Sequence, residues 1–285
     1  MASSFLGTLY NITDMAWIGI LGSKAVAGVG VGGMFTWLSQ GLAAMSRMGG
    51  QVNTAQACGR KDYDQARSYA AGSLQLTALS GILFAAVCVI FIQPLLGFFN
   101  LTDAETYTAA KSYTLITCGL ILFSYLNLTL TGLSTAQGDS RTPLLANFIG
   151  LAGNMILDPL LILGIGPFPR LEVAGAAIAT VLAQLLSMLG CFAYTLLRHS
   201  ELRLGREDWR VGGASLLSHL RQGLPLGLQF SILAVGIIVM QGAVVRFDIA
   251  GNGIMVPGTP AQNGFSAANK LINFLMALYL SLIHI

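Results

Sequence analysis

The sequence predicts an all-α integral membrane protein. Hydrophobic residues make up 54% of its 285 residues and charged ones only 9%, against roughly 25% charged in soluble domains. The apolar residues gather into long unbroken runs, inside which Gly and Ala recur at helix-packing spacing, as at Gly28 and Gly32. Transmembrane β-strands would instead give short alternating segments.

Eight runs approach the roughly 20 apolar residues that a membrane-crossing helix needs: about 5–22, 26–46, 72–98, 113–135, 144–166, 173–197, 222–245 and 264–283. The first has no basic segment ahead of it and carries Asp14, which argues against a cleavable signal peptide. At the other end an apolar run, 271–285, stops without a polar tail. Both abrupt ends lead us to expect a piece of a longer protein. Residues 280–285 also resemble translated adapter sequence, so His284 carries no weight. The longest polar connection, about 198–221, holds five arginines with Glu201, Glu207 and Asp208. It reads as an interdomain linker with a surface helix, on which His199 and His219 lie without ligand spacing.

Net charge is +3, and its basic residues are scattered between apolar runs. No nucleic-acid-binding field results. Cys58, Cys88, Cys118 and Cys191 include no close pair in sequence, so neither a disulfide framework nor a zinc site is expected. Because loops alternate sides, the basic residues can be sorted by side. Arg47, Arg60, Lys61, Arg67, Arg141 and the linker arginines fall on one, against Lys24, Lys111, Arg170 and Arg246 on the other. The positive-inside rule makes the first side cytoplasmic. Lys270, near the start of the eighth run, reads as a snorkelling end residue.

Of the 12 acidic residues, Asp14 and Asp158 alone sit well inside apolar runs. An ionisable group there costs a few kcal/mol on insertion scales and marks function by default. Counted back from Gly22 and Gly166, each is about eight residues deep, roughly 12 Å at 1.5 Å per residue. Thr180 reaches nearly the same level from the sixth run. Asn147, Asn154 and Asp158 follow one another at i, i+7 and i+11, within about 40° around a helix. Pro159 has no amide proton, which leaves the carbonyl of Met155 without its helical partner. Tyr10 lies one turn from Asp14 and can donate to it. The competing reading is that such residues glue helices together, for about 0.6 kcal/mol each. That reading suffices for Asn147, whereas two carboxylates at matched depth point to a cation site. The glycosylation sequons at Asn11 and Asn127 lie within spans and are put down to chance.

These residues resemble the multidrug and toxic compound extrusion family. The likeness runs through Asp14 with Trp17-Ile18-Gly19-Ile20-Leu21-Gly22, then Gln137-Gly138-Asp139-Ser140-Arg141-Thr142-Pro143 and Asn154-Met155-Ile156-Leu157-Asp158-Pro159. It continues with Gly175-Ala176-Ala177-Ile178-Ala179-Thr180 and Gly223-Leu224-Pro225. The resemblance implies an amino-terminal six-helix lobe of a twelve-helix antiporter (1–197), a cytoplasmic linker (198–221) and the first two helices of a second lobe (222–285). It is similar to the branch that includes DNA-damage-inducible exporters, whose cation-site residues fall on Asp14, Asn154, Asp158 and Thr180, with Tyr10 on a tyrosine of the same pocket. Another branch uses an acidic residue on the seventh helix, and 222–245 here has none.

What this implies is a monomeric exporter of cationic or amphipathic small organic molecules, in the cytoplasmic membrane of a prokaryote. It would have no cofactor and be coupled to protons or to sodium held at Asp14, Asn154, Asp158 and Thr180. A lipid-linked precursor flippase of the same superfamily would line its cavity with several basic residues, and the spans carry almost none. An intramembrane enzyme would want a nucleophile and base pair, and no histidine lies in a dependable span. A structural membrane fragment is the third alternative.

Overall fold

A computed structural model describes residues 13–198, 204–205, 207–209, 212–248 and 260–283, and helices are the only extended secondary structure among them. Helix α1 is described at 13–20. It is followed by α2 (Ser23–Gly59), α3 (Tyr63–Ile90), α4 (Ile92–Gly97), α5 (Ala104–Gly119) and α6 (Ile121–Ala136). Then come α7 (Arg141–Leu163), α8 (Glu172–Arg198), α9 (Gly213–Val245) and α10 (Pro260–Ile283), with a short 3-10 turn, Arg246–Asp248, after α9. Tyr10, His199, Arg203, Arg206, Arg210 and His284 lie outside the described residues.

Four of these helices, α3, α7, α8 and α9, are individually long and apolar enough to cross a membrane, and α5 with α6 is so as a pair bent by 47°. Helices α2 and α10 are also long enough, at 37 and 24 residues. Their Gly, Ser, Gln and Asn dilute the apolar signal, and several of them, such as Ser39, Asn53, Gln262 and Ser266, are buried in the bundle interior. Large apolar side chains cover the outside: Ile90 on α3 and Ile232 on α9 are each 71% exposed. Lipid is the environment that accepts such a surface.

Helix ends follow local chemistry. Asp62 and Asp103 cap α3 and α5 by accepting from the amides of Gln65 and Thr106. Gly164 ends α7 in the left-handed region at φ 71°, a conformation that costs glycine nothing. The run expected at 72–98 breaks at Phe91, so Pro94 falls in the first turn of α4, where its missing amide goes unnoticed. Helix α2 runs far past the span expected at 26–46, which moves Arg47 from a presumed loop into the helix. Likewise, α9 begins at Gly213, so His219 is a buried helix residue rather than part of a solvated linker.

Helix α2 is the centre, packed against α3, α5, α6 and α9. Small residues allow this. A Cβ added at Gly223 on α9 would lie 2.0 Å from the carbonyl oxygen of Met45, and one at Gly49 would lie 2.5 Å from that of His219. Helices α7 and α8 form an antiparallel hairpin of the same kind, in which Gly150 faces Ser187 and Gly175 faces the backbone of Leu161. Leu171 closes the hairpin by donating its amide to the Leu161 carbonyl at 2.9 Å.

Candidate cation site and central cavity

The polar stripe on α7 turns inward. Asn154 and Asp158 are fully buried, and the Asn154 amide donates to Asp158 Oδ1 at 3.0 Å, one helical turn away. Asp14 on α1 is also buried. Its carboxylate and that of Asp158 act on one another electrostatically. Thr180 on α8 lines the same cavity as Asp14. Asp158 Oδ2, Asn154 Oδ1 and Thr180 Oγ1 are all buried and have no hydrogen-bond partner. Buried acceptors without a donor are rare in folded proteins. Asn154 and Asp158, one turn apart on α7, thus hold two such oxygens beside a carboxylate, the kind of group that takes a proton or a small hard cation.

The end of α7 is nearer to Asp158 than residue counting assumed. Helix α7 ends at Leu163 rather than near Gly166, so Asp158 lies about five residues, roughly 8 Å, from the helix end. An apolar cluster including Ile18, Val29, Ile162, Val173 and Ala176 joins α1, α2, α7 and α8 at this end of the bundle. It shields the carboxylates from that side.

Tyr113 on α5 is a member of the site that the sequence reading missed. It is buried, and the charges of both Asp14 and Asp158 act on its hydroxyl. A tyrosine inside an apolar run carries no sequence signal of its own, since its ring packs as any aromatic does. Tyr10, expected in the same place, lies outside the described residues.

Asp14, Tyr113 and Thr180 open onto a cavity of about 560 Å³ bounded by all the long helices except α3. Its wall mixes Met34 and Trp37 with carboxamides. The Asn127 amide donates to Asn147 Oδ1 and to Gln184 Oε1, at 3.0 Å each, tying α6, α7 and α8 together across the cavity. Asn147 is therefore helix glue, as read from the sequence, and also a cavity residue. Among the described residues no group of three or more His, Cys, Asp or Glu side chains has metal-binding geometry. Cys88 and Cys118 meet in the core without forming a disulfide.

The profile of the family described as MatE matches residues 1–160. The probable multidrug resistance protein NorM of Thermotoga maritima is 27% identical over 240 residues, covering 84% of this chain and 51% of its own. The FAD transporter of Shewanella oneidensis is 28% identical over 237 residues, covering 81% and 51%. The chain thus spans about half the length of the curated relatives it matches. Among solved structures, the inward-facing conformation of a multidrug resistance MATE family transporter of the MOP superfamily aligns with TM-score 0.80 at 24% identity, over 97% of this chain and 64% of that one. The MATE multidrug transporter DinF-BH, solved with a bound compound, aligns with TM-score 0.84 at 22% identity, over 96% and 58%. At these identities the structural likeness establishes the fold.

Proposed function

The chain belongs to the MatE family, whose members are transporters rather than enzymes, and from that premise we propose that the whole protein exports small organic molecules by cation-coupled antiport. Inward flow of protons or sodium drives the export. The observation that carries this reading is the two buried carboxylates Asp14 and Asp158, with unpartnered buried oxygens on Asn154, Asp158 and Thr180, and with Asp14 and Thr180 lining a solute-sized cavity. A bound proton or sodium ion supplies the positive charge that two buried carboxylates lack. Asp158 holds it, Asn154 orients Asp158, Thr180 adds a neutral oxygen, and Tyr113 borders the cavity beside Asp14.

Coupling follows from where these residues sit. Asp14 belongs to α1 and Asp158 to α7, so neutralising the pair changes the packing of α1 against the rest of the bundle. Binding shifts the balance of access states only by its difference in affinity for them. A cavity of about 560 Å³ lies within the range of roughly 300–1,000 Å³ typical of small-molecule sites. Its methionine and tryptophan, with Asp14 at one end, suit amphipathic or cationic solutes. Residues 1–197 belong to the first lobe, the cytoplasmic linker ends where α9 begins at Gly213 rather than at 221, and α9 and α10 open the second lobe, in a monomer of the cytoplasmic membrane.

The test is efflux of ethidium from proteoliposomes containing the full-length protein under an imposed proton or sodium gradient. Asp158→Asn keeps side-chain shape and hydrogen bonding but removes the titratable charge, so export should lose its gradient dependence while the protein still folds. Asp14→Asn is run in parallel. Gradient-driven export that persists in both variants refutes the site.

A further inference from the structure

Beyond the cavity, one charged side chain is held inside the bundle with nothing to answer it. Arg47 lies in the interior of α2, about a dozen residues before the helix ends at Gly59. It is half-buried, and its Nε is shielded from solvent without a hydrogen-bond partner. No carboxylate lies within ion-pair distance among the described residues. Asp139, at the same end of the bundle, already accepts from the amides of Arg141 and Thr142 as the cap of α7.

The side chain is aimed rather than stray. Gly33, Trp37 and Gln40 line the cavity. Ala44, Arg47 and Gln51 continue the same stripe of α2 at helical spacing, all within about 40° of its centre. Across from it, α6 lines the cavity as far as Leu128 and then presents Gly132. A Cβ at Gly132 would come within 2.8 Å of Arg47 Cγ and 3.5 Å of Nε, so the missing side chain leaves the groove in which Arg47 lies. Helix α9 packs on a different side of α2, through Gly41, Met45 and Gly49.

A half-buried guanidinium whose Nε is shut off from water without a partner is costly to leave unanswered, and its planar fork matches the two oxygens of a carboxylate or phosphate. We propose that Arg47 binds an oxyanion group, carboxylate or phosphate, carried by the transported solute. This rests on the exporter reading and narrows it: substrates include amphipathic anions, not only cations. Arg47 lies seven residues, about 10 Å, beyond Gln40 along α2. A solute whose rings reach Trp37 and Gln40 spans that distance.

The experiment measures binding of fluorescent probe pairs to the purified full-length protein in detergent. Riboflavin is compared with its phosphate monoester, and methyl-methoxycoumarin with methoxycoumarin-acetic acid. Each pair differs by one oxyanion, and the two pairs separate phosphate from carboxylate recognition. The wild type is expected to prefer at least one oxyanion member by about tenfold or more. Arg47→Gln should abolish the preference, and Arg47→Lys, which keeps the charge but not the fork, should retain part of it. No preference in the wild type, or an unchanged one in both variants, overturns the proposal. So does Arg47-dependent binding of phosphatidylglycerol when neither soluble oxyanion binds, which would make the ligand a lipid headgroup. Ethidium export separates the two readings. If Arg47→Gln still exports ethidium while oxyanion preference is absent from the wild type, this inference fails alone. If the wild type shows an Arg47-dependent preference but no gradient-driven export, the exporter reading fails alone.

Discussion

Gly175→Ala tests whether close contact between α7 and α8 builds the cation site. The added methyl would sit 2.5 Å from the carbonyl oxygen of Leu161, 2.6 Å from its carbon and 3.0 Å from the amide nitrogen of Ile162. Those are backbone atoms in a helix and cannot swing aside as a side-chain tip does. To reach the ordinary separation of 3.4 Å the helices must part locally by about 0.9 Å. Overpacking of this kind costs about 1–3 kcal/mol. The strain falls one turn from Asp158 on α7 and little more than one turn from Thr180 on α8, so it displaces the two sides of the oxygen cluster relative to each other. Two readouts are expected to move together: a melting temperature in detergent lower by several degrees, and gradient-driven ethidium export weakened by more than the loss of folded protein explains. Gly236→Ala on α9, where an added Cβ meets nothing within 4 Å, controls for losing a helical glycine and should leave stability unchanged or slightly raised. A Gly175→Ala protein that melts and transports like the wild type would refute the argument that this contact sets the site.

Two further outcomes follow from the described contacts. His219 places Nδ1 2.7 Å from the Ser215 carbonyl and Nε2 2.9 Å from the Tyr69 carbonyl, so His219→Ala should cost about 1–3 kcal/mol by untying α9 from α3, read as a lower melting temperature that His219→Gln partly restores. At the other end of the bundle, partial burial works against ionisation of Asp103, but the amide and hydroxyl of Thr106 together with Lys24 hold its carboxyl below the usual carboxylate range. Its contribution to stability is therefore complete above the ordinary carboxylate pKa and lost as pH falls through the lowered folded value. Melting curves taken from roughly pH 6 down to pH 3 should show an acid-side loss that Asp103→Asn diminishes.

What the sequence made legible was whatever a single helix declares by itself. Long apolar runs announced the spans, and Asp14 and Asp158 stood out because a carboxylate in an apolar run has no cheap explanation. The Asn154 to Asp158 stripe was visible because its period is that of the helix it lies on. The misreadings share a different cause. Arg47 was placed in a loop because a charge usually ends a span, yet α2 continues for about three more turns on small polar residues, such as Asn53 and Thr54, buried against neighbouring helices. His219 was read as solvated because its sequence neighbours are polar, while its partners are carbonyls, one of them on another helix. Tyr113 and the Asn127–Asn147–Gln184 junction are joined across helices by residue types common in any span.

The same distinction explains why small residues and polar residues must be read together here. Each carboxylate or amide oxygen at the site is costly where it lies, and it becomes useful only when oxygens from other helices stand beside it. Gly150 and Gly175 contribute no oxygen, but they let α8 approach the backbone of α7 closely, on the face where Thr180 lines the same cavity as Asp14. Gly132 does the equivalent for Arg47 by leaving α6 without a side chain where the arginine stem crosses it. In lipid there is no hydrophobic force between helices to draw them this close, so packing of small residues has to do so. A bulky residue at any of these glycines would therefore separate polar groups that it never touches.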